Sequence, residues 1–354
     1  MNKLKFSKMK NSILTFLLIS FALFSVSAQT TLILDNSSND PMHYKTFAEA
    51  IEAATAKSTI LVHGSGVSYG DITIDKEVYI KGPGFYIGEN PGTENMSTAT
   101  AKFGAVNVSI DGGGASLSGL NIEGICTIKG DKTVVQRNQI RAVKIDNAND
   151  IIIGQNSIYG FIKDCSGSGS EIGSLHITGN NNNIMIHNNY INGKGGCLGF
   201  DDPLSVEASA NSTITFKNNV FLFGGSFSNS VLENNIIIDG NTPDINDNNK
   251  NVYHNNVFLK SKPGLIGVNN NITNAGSLDD IFTREGKTLT RFTIRDDSVA
   301  KGAGNDGTDA GIFGGAEPFV PSGIPGIPTV YSIEIPTNVN DDNLKVKVKA
   351  RTNN

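Results

Sequence analysis

The chain has 354 residues, of which 39 are glycine, none is tryptophan and only 18% are charged. Turn-forming residues are too frequent for a helical protein, and the short Val/Ile/Leu runs are too regular for a disordered chain. Without the four lysines at the start of the chain, 25 basic and 34 acidic side chains give a net charge of −9. This charge argues against a nucleic-acid partner, because a phosphate backbone selects clustered Lys and Arg.

The first predicted element is a signal peptide over residues 1–28. Lysines precede an apolar run from Ile13 to Phe24, and small residues before and at Ala28 place the cleavage site there. The run is shorter than the ~20 residues that cross a bilayer, and no cysteine or second long apolar stretch follows it closely. We therefore expect a secreted protein, outside the cell, at its surface or in the periplasm, with no transmembrane segment after cleavage.

An amphipathic helix is predicted next, over residues 46–56. Thr46 and Glu49 have the spacing of a capping box, and apolar residues recur on one helical face. The sequence STILVHG that follows is predicted as the first strand. The helix would then lie over the first turn of the fold.

One short pattern recurs six times in the middle of the chain: an apolar residue, two polar positions, an asparagine, a variable residue and a second apolar residue. The segments are VQRNQI (135–140), IGQNSI (153–158), IHNNYI (186–191), FKNNVF (216–221), LENNII (232–237) and YHNNVF (253–258). Their common asparagines are Asn138, Asn156, Asn189, Asn219, Asn235 and Asn256. The residue before each of these asparagines varies, so we take only the asparagine as systematic.

These asparagines are 16 to 33 residues apart. The shortest intervals suit one turn of a coil of three short strands, and the longer ones are coils with insertions. The sequence therefore predicts an all-β fold, a right-handed parallel β-helix over residues 29–317 whose N-terminal end is closed by the helix. Equivalent positions on successive coils would be ~4.8 Å apart, so the amides could bond to one another as a ladder. We expect the ladder asparagines themselves to adopt the left-handed backbone conformation at the bends.

The position two residues before the ladder asparagine holds His187, Lys217, Glu233 and His254. These side chains are predicted to point outward as a column, with Lys217 and Glu233 forming an exposed ion pair. The column could bind an acidic sugar or be a solvated face. His63, earlier in the chain, has no identifiable partner.

The repeat fades after Lys262, and residues 318–354 are predicted as an extended tail. Five of the 11 prolines lie between Pro318 and Pro336, which favours an extended chain. The last segment, NLKVKVKAR, alternates as a strand does and has a basic outer face. It would either dock on the protein or bind a partner.

With these features the chain resembles secreted right-handed parallel β-helix proteins of the pectate-lyase-like superfamily, of the type found in Bacteroidetes. The resemblance is carried by FAEAIEAATAKSTILVHG, ITIDKEVYIKGPG, the asparagine ladder and DGTDAGIFGGAEPFVPSGIPGIP. It implies the fold more than an activity, because such β-helices include polysaccharide lyases, glycoside hydrolases, adhesins and proteins with no known activity.

Asp201 and Asp202 are the candidate catalytic residues. They are similar to the Asp-Asp step of polygalacturonase-like hydrolases, in which paired carboxylates serve acid/base hydrolysis. The other motifs of that family are missing, and the pair equally suits a solvated loop before Pro203.

Pectate-lyase-type enzymes hold Ca²⁺ with acidic residues and abstract a proton with Arg or Lys, because Ca²⁺ neutralises the uronate carboxylate. The residues that this likeness nominates here as Ca²⁺ ligands are Asp164, Asp201, Asp202 and Glu207. Lys163 and Lys194 lie nearby in the same two inserted coils and are candidate binding residues. The recognisable lyase motifs are missing.

Three cysteines leave one unpaired in a monomer. Cys165 follows Ile158 by seven residues, and Cys197 follows Ile191 by six, in coils that the alignment makes neighbours. We therefore predict a Cys165–Cys197 disulfide and a free thiol at Cys126.

Two functions remain open. The favoured one is a monomeric structural or binding protein of the cell surface or extracellular space that contacts polysaccharide or a cell-envelope glycan. The alternative is a polysaccharide lyase or glycoside hydrolase acting on an acidic polysaccharide, with Ca²⁺ as its candidate cofactor.

Overall fold

The computed structural model describes residues 30–89, 93, 96–160, 173–193, 204–208, 212–222, 227–238, 250–335 and 346–352. The strands are β1 (Thr31–Leu34), β2 (Thr59–Val62), β3 (Ile72–Ile74), β4 (Tyr79–Lys81), β5 (Ala101–Phe103), β6 (Val106–Val108), β7 (Ser116–Ser118), β8 (Leu120–Ile128), β9 (Val134–Gln136), β10 (Gln139–Asp146), β11 (Ile151–Gly154), β12 (Ser157–Ile158), β13 (Leu175–Gly179), β14 (Ile184–His187), β15 (Tyr190–Ile191), β16 (Leu204–Ala208), β17 (Ile214–Lys217), β18 (Val220–Phe221), β19 (Ser230–Glu233), β20 (Ile236–Ile237), β21 (Val252–His254), β22 (Val257–Phe258), β23 (Thr329–Glu334) and β24 (Lys347–Arg351).

The strands wind into a right-handed parallel β-helix, as the sequence predicts. The first sheet has ten strands in the order β1-β2-β4-β7-β9-β11-β14-β17-β19-β21. The second has 12 strands, with the path β22-β20-β18-β15-β12-β10-β8-β6-β3, β5 beside β8, and β13 between β10 and β16. Every pairing in these two sheets is parallel and joins a strand to its counterpart one coil away, which is how a coil of short strands stacks.

The core fills the inside of the coil with stacked apolar side chains. One inward column, Val135, Ile153, Ile186, Phe216, Leu232 and Tyr253, is at most 4% exposed. A second column, Ile140, Ile158, Ile191, Phe221, Ile237 and Phe258, is at most 3% exposed. The two columns are formed by the first and the second apolar position of the six-residue repeat. Burying each such side chain stabilises the fold by ~1.5–3 kcal/mol.

The asparagines of the repeat lie inside the bend between the two sheets, fully buried and bonded in a row. The backbone N–H and side-chain Nδ2 of each one donate to the Oδ1 of the next, over 2.9 to 3.2 Å. The row continues to Asn271, which accepts both bonds from Asn256 at 3.0 Å. The coil therefore extends past Lys262, beyond the point where the sequence pattern fades.

The left-handed conformation belongs to a different residue from the one expected. Among the described residues, the ladder asparagines are not at positive φ, whereas the residue before each of them has a φ of 51° to 57°. Those preceding residues are Arg137, Gln155, Asn188, Asn218, Asn234 and Asn255. The bend needs one left-handed residue. The ladder asparagine does not take this role, because its backbone N–H and its side-chain Nδ2 both point at the next coil.

The capping helix α1 (Phe47–Ala53) starts at its N-cap Thr46, which forms the capping box with Glu49. It is shorter than the predicted 46–56, because Ala54 is already extended. The ammonium of Lys76 donates to the carbonyls of Ile51, Glu52 and Ala54, which satisfies the C-terminal end. STILVHG is not the first strand: β1 precedes the helix and pairs with β2.

The C-terminal region covers the outside of the second sheet. The outward side chains of its short strands, Tyr190, Val220, Ile236 and Val257, belong to a separate apolar cluster with residues from 281 to 319. This region contains α2 (Leu278–Ile281), and Tyr190 packs on Phe292 at a ring distance of 4.8 Å. The terminal strand β24 pairs antiparallel with β23. Within the described part of the chain, no helix is long and apolar enough to span a membrane.

Candidate functional site

A C-terminal segment, residues 303–325, runs back along the bend of the coil; we call it the strap. The left-handed residues beside the ladder point their side chains outward and hold the strap by its backbone. Asn255 Nδ2 donates to Ala303 O at 3.0 Å, and Asn188 Nδ2 to Gly314 O at 2.8 Å. The strap therefore crosses one coil after another in the direction opposite to the chain order of the coils.

The remaining strap contacts repeat the same chemistry. Asn234 exchanges two bonds with Asn305, at 3.0 and 2.9 Å. Nearer the N-terminus, Gln155 Nε2 donates to Pro318 O at 2.6 Å, and Arg137 donates to Ile324 O at 3.2 Å. The strap thus includes the first residues of the predicted tail, 318–325, and these residues lie on the coils.

Beside the strap, the outer face of the first sheet carries a column of polar residues. Its members, which we call the outer column, are Gln136, Gly154, His187, Lys217, Glu233 and His254. The strand register places each of these residues beside the next one in the column. This was predicted for the four residues from His187 to His254. Lys217 and Glu233 are neighbours, yet among the described residues they form no ion pair within 4.0 Å, so that part of the prediction is wrong. Each stays half-buried on its own coil.

We call the space between the outer column and the strap the groove; the two contact each other at His187 and Glu317. His187 Nε2 lies 3.7 Å from a carboxylate oxygen of Glu317, and His187 Nδ1 lies 3.1 Å from Asn188 Oδ1. The imidazole occupies the space above Gly154, where a Cβ would come within 2.5 Å of His187 Nε2. Gly154 is therefore the residue that lets the ring lie against the strap.

A pocket of about 530 Å³ opens at this point, lined by Gln136, Arg137, Gln155 and strap residues 316–321. Arg137 Nε donates to Gln155 Oε1 at 2.8 Å. Burial lowers the pKa of the Arg137 guanidinium, and the nearby charge of Glu317 opposes this in part. The pocket combines the guanidinium of Arg137, the amides of Gln136 and Gln155, and the carboxylate of Glu317. The guanidinium and the amides donate hydrogen bonds to carboxylate and hydroxyl groups, and the carboxylate accepts them from hydroxyl groups.

Farther along the groove, Lys217 faces the strap. The pKa of Asp306 is lowered first by a hydrogen bond from Thr308, and the charge of Lys217 adds to this. His254, the last predicted binding residue of the column, stacks on Glu233 one coil away. Within the described residues, no three His, Cys, Asp or Glu side chains are grouped so as to hold a metal ion.

Most of the predicted catalytic, Ca²⁺ and disulfide residues, and two of the predicted binding residues, lie outside the described residues. They are Lys163, Asp164, Cys165, Lys194, Cys197, Asp201 and Asp202. Glu207 lies in β16, whose backbone pairs it with Thr178 of β13. Segments 161–172 and 194–203 follow β12 and β15, and these strands pair through Ile158 and Ile191. Cys126 is a free cysteine and is buried.

Sequence reasoning missed the residues that hold the strap. The position before the ladder asparagine was interpreted as variable, but Arg, Gln and Asn at this position all carry side-chain N–H donors. That shared property is the signal that could have located the strap-binding face. Glu317 had no such signal, since nothing in the sequence pairs it with His187.

No protein-family model and no curated protein matches this sequence. Among solved structures, the crystal structure of pectate lyase Pel9A matches 81% of this chain and 96% of its own, with 11% sequence identity and a TM-score of 0.46. A likeness of this degree carries no information about substrate or activity.

Proposed function

We propose that this protein is exported and that the groove between the outer column and the strap binds an acidic polysaccharide without cleaving it. The observation that carries the proposal is the outer column, in which polar side chains occupy successive coils from His187 to His254, with Gln136 two coils before His187 and Gly154 between them. Coils stack at ~4.8 Å, so the groove repeats in small, even steps. An extended polymer with a repeating pattern of carboxylates and hydroxyls suits such a row.

The cationic side chains of the groove suit the carboxylates of a ligand, and the carboxylates of Glu233 and Glu317 suit its hydroxyl groups. Arg137 and Lys217 supply cationic donors, and His187 and His254 supply imidazole groups. The strap is bonded to the coils by amides at several points, which keeps the groove open in the free protein. A preformed groove loses little conformational entropy on binding.

The test is titration of the purified protein with polygalacturonate, alginate and hyaluronate, with and without Ca²⁺. Lys217→Ala removes one surface charge, worth ~1 kcal/mol or about fivefold in affinity. Gly154→Val displaces the His187 ring and should also weaken binding. Lys260→Ala is the matched control, since Lys260 is exposed and follows β22 on the other sheet. Absence of binding, or equal losses in all three variants, would contradict the proposal.

The alternative is a polysaccharide lyase or glycoside hydrolase. Pairing of Ile158 with Ile191 favours it, because the segments bearing Asp164, Asp201 and Asp202 follow these stacked positions. The same polymers distinguish the two functions. An ultraviolet-absorbing unsaturated product, or new reducing ends, that vanish in Asp201→Ala and Asp202→Ala would establish the enzyme and displace the binding proposal.

A further inference from the structure

A second cleft lies at the C-terminal end of the strap, on the first coils of the fold. Its residues Leu61 and Lys81 are in register, through Ser118, with Gln136 of the outer column. It has a volume of about 470 Å³ and opens between β2, β4, residues 96–97 and residues 324–330. Most of its lining is apolar, including Leu61, Pro83, Met96 and Ile327. The volume falls within the ~300–1,000 Å³ that small-molecule sites occupy. The lining also includes the imidazole of His63 and the ammonium group of Lys81.

His63 is held in one orientation by a carboxylate behind it. Its Nδ1 lies 3.0 Å from Asp35 Oδ2, so His63 does have a partner, contrary to the expectation from the sequence. The other oxygen, Asp35 Oδ1, accepts from Ser37 N, Ser37 Oγ and Ser38 N at 2.7 to 3.1 Å. Burial raises the pKa of Asp35, but the hydrogen bonds from Ser37 and His63 outweigh it and lower the pKa to about 2.

An ionised carboxylate only accepts hydrogen bonds, so the proton of a neutral His63 must be on Nδ1. This leaves Nε2 as an acceptor. The His63 side chain is 52% exposed, so a ligand can reach it. Tyr69 donates to the His63 carbonyl at 2.8 Å, which holds the residue from the other side.

We propose that this cleft binds a small phenol, with the aromatic ring among the apolar side chains and the hydroxyl donating to His63 Nε2. A phenol matches the site because it joins an apolar body to one acidic O–H donor. Once that proton is donated, the phenol oxygen still has lone pairs for the Lys81 ammonium. This proposal does not rest on polysaccharide binding.

The experiment measures binding of 4-methylphenol and of 4-methylanisole, which has the same ring and no O–H, by ligand-observed NMR and calorimetry. We expect 4-methylphenol to bind about tenfold more tightly, the effect of one hydrogen bond at ~1.4 kcal/mol per decade. Leu61→Glu should abolish binding of both, and Lys260→Ala should leave both unchanged. Circular dichroism checks that each variant is folded.

Asp35→Asn is the decisive variant. Its amide would face Nδ1 with a donor, which forces the imidazole proton onto Nε2 and turns that atom from acceptor to donor. The preference for 4-methylphenol should then disappear, and ¹⁵N NMR of the imidazole should show the change of tautomer. The proposal is overturned if neither probe binds, if both bind equally to the unmodified protein, or if Leu61→Glu leaves binding intact.

Discussion

Replacing one ladder asparagine with alanine should destabilise the protein far more than replacing an exposed asparagine on the same coil. In Asn189→Ala, the buried Asn156 N–H loses the acceptor that it contacts at 2.9 Å. A buried N–H without a partner costs ~1–3 kcal/mol. The lost Nδ2 bonds, to Ile153 O at 2.7 Å and Asn219 Oδ1 at 3.0 Å, add ~1 kcal/mol each. The expected loss in unfolding free energy is therefore ~3–5 kcal/mol.

The measurement is guanidinium unfolding followed by circular dichroism, with Asn180→Ala as the control. Asn180 is exposed, and among the described residues only its backbone N–H makes a hydrogen bond, to Asn147. Its replacement should therefore change stability by less than ~0.5 kcal/mol. If the two variants lose equal stability, the buried amide row does not stabilise the coil. A loss in Asn189→Ala with an unchanged denaturant slope would show that the native fold itself is kept.

Three further predictions use other parts of the structure. Asn188→Gly keeps the left-handed bend but loses the bonds to the strap, so protease cleavage within the strap should become faster while the coil stays folded. The pKa of Asp35 is lowered from 3.8 to about 2, so the ionised carboxylate stabilises the folded state above pH 3.8. This stabilisation is lost as the pH falls towards 2. The melting temperatures of Asp35→Asn and of the unmodified protein should therefore converge between pH 3.8 and 2. Burial raises the pKa of the Cys126 thiol to about 12, so Cys126 should react with thiol reagents only after the protein unfolds. If Cys165 and Cys197 form a disulfide, denatured protein should show two fewer free thiols without a reducing agent than with one.

The architecture could be predicted because it repeats. Each coil supplies the same inward apolar pair and the same asparagine, so matches in register, such as Ile140 with Ile158, are visible in the sequence. The last coil was missed for the same reason. Asn271 is followed two residues later by Thr273 instead of an apolar residue, so the pattern is incomplete there although the hydrogen bonds continue.

The groove could not be predicted in the same way, because its second wall does not repeat. Arg137 and Ile324 are 187 residues apart, and no periodicity links them. The Asp35–His63 contact is local to the first two coils, but it needs β1, which the sequence analysis did not recognise as a strand. Once β1 and β2 are paired, Asp35 and His63 follow directly after paired residues and must be neighbours.

The repeated Asn-Asn step divides two tasks between adjacent residues of one chemical type. In Asn188-Asn189, the second amide faces inward and bonds coil to coil, while the first faces outward and bonds coil to strap. The bend makes this possible, since a left-handed residue reverses the direction of the side chain relative to the next one. The same short repeat therefore holds the coils together and holds the strap in place. Each added coil lengthens both the core and the groove by one step. A groove built in this way has its length set by the number of coils, which is the property that an extended polymer as ligand would select.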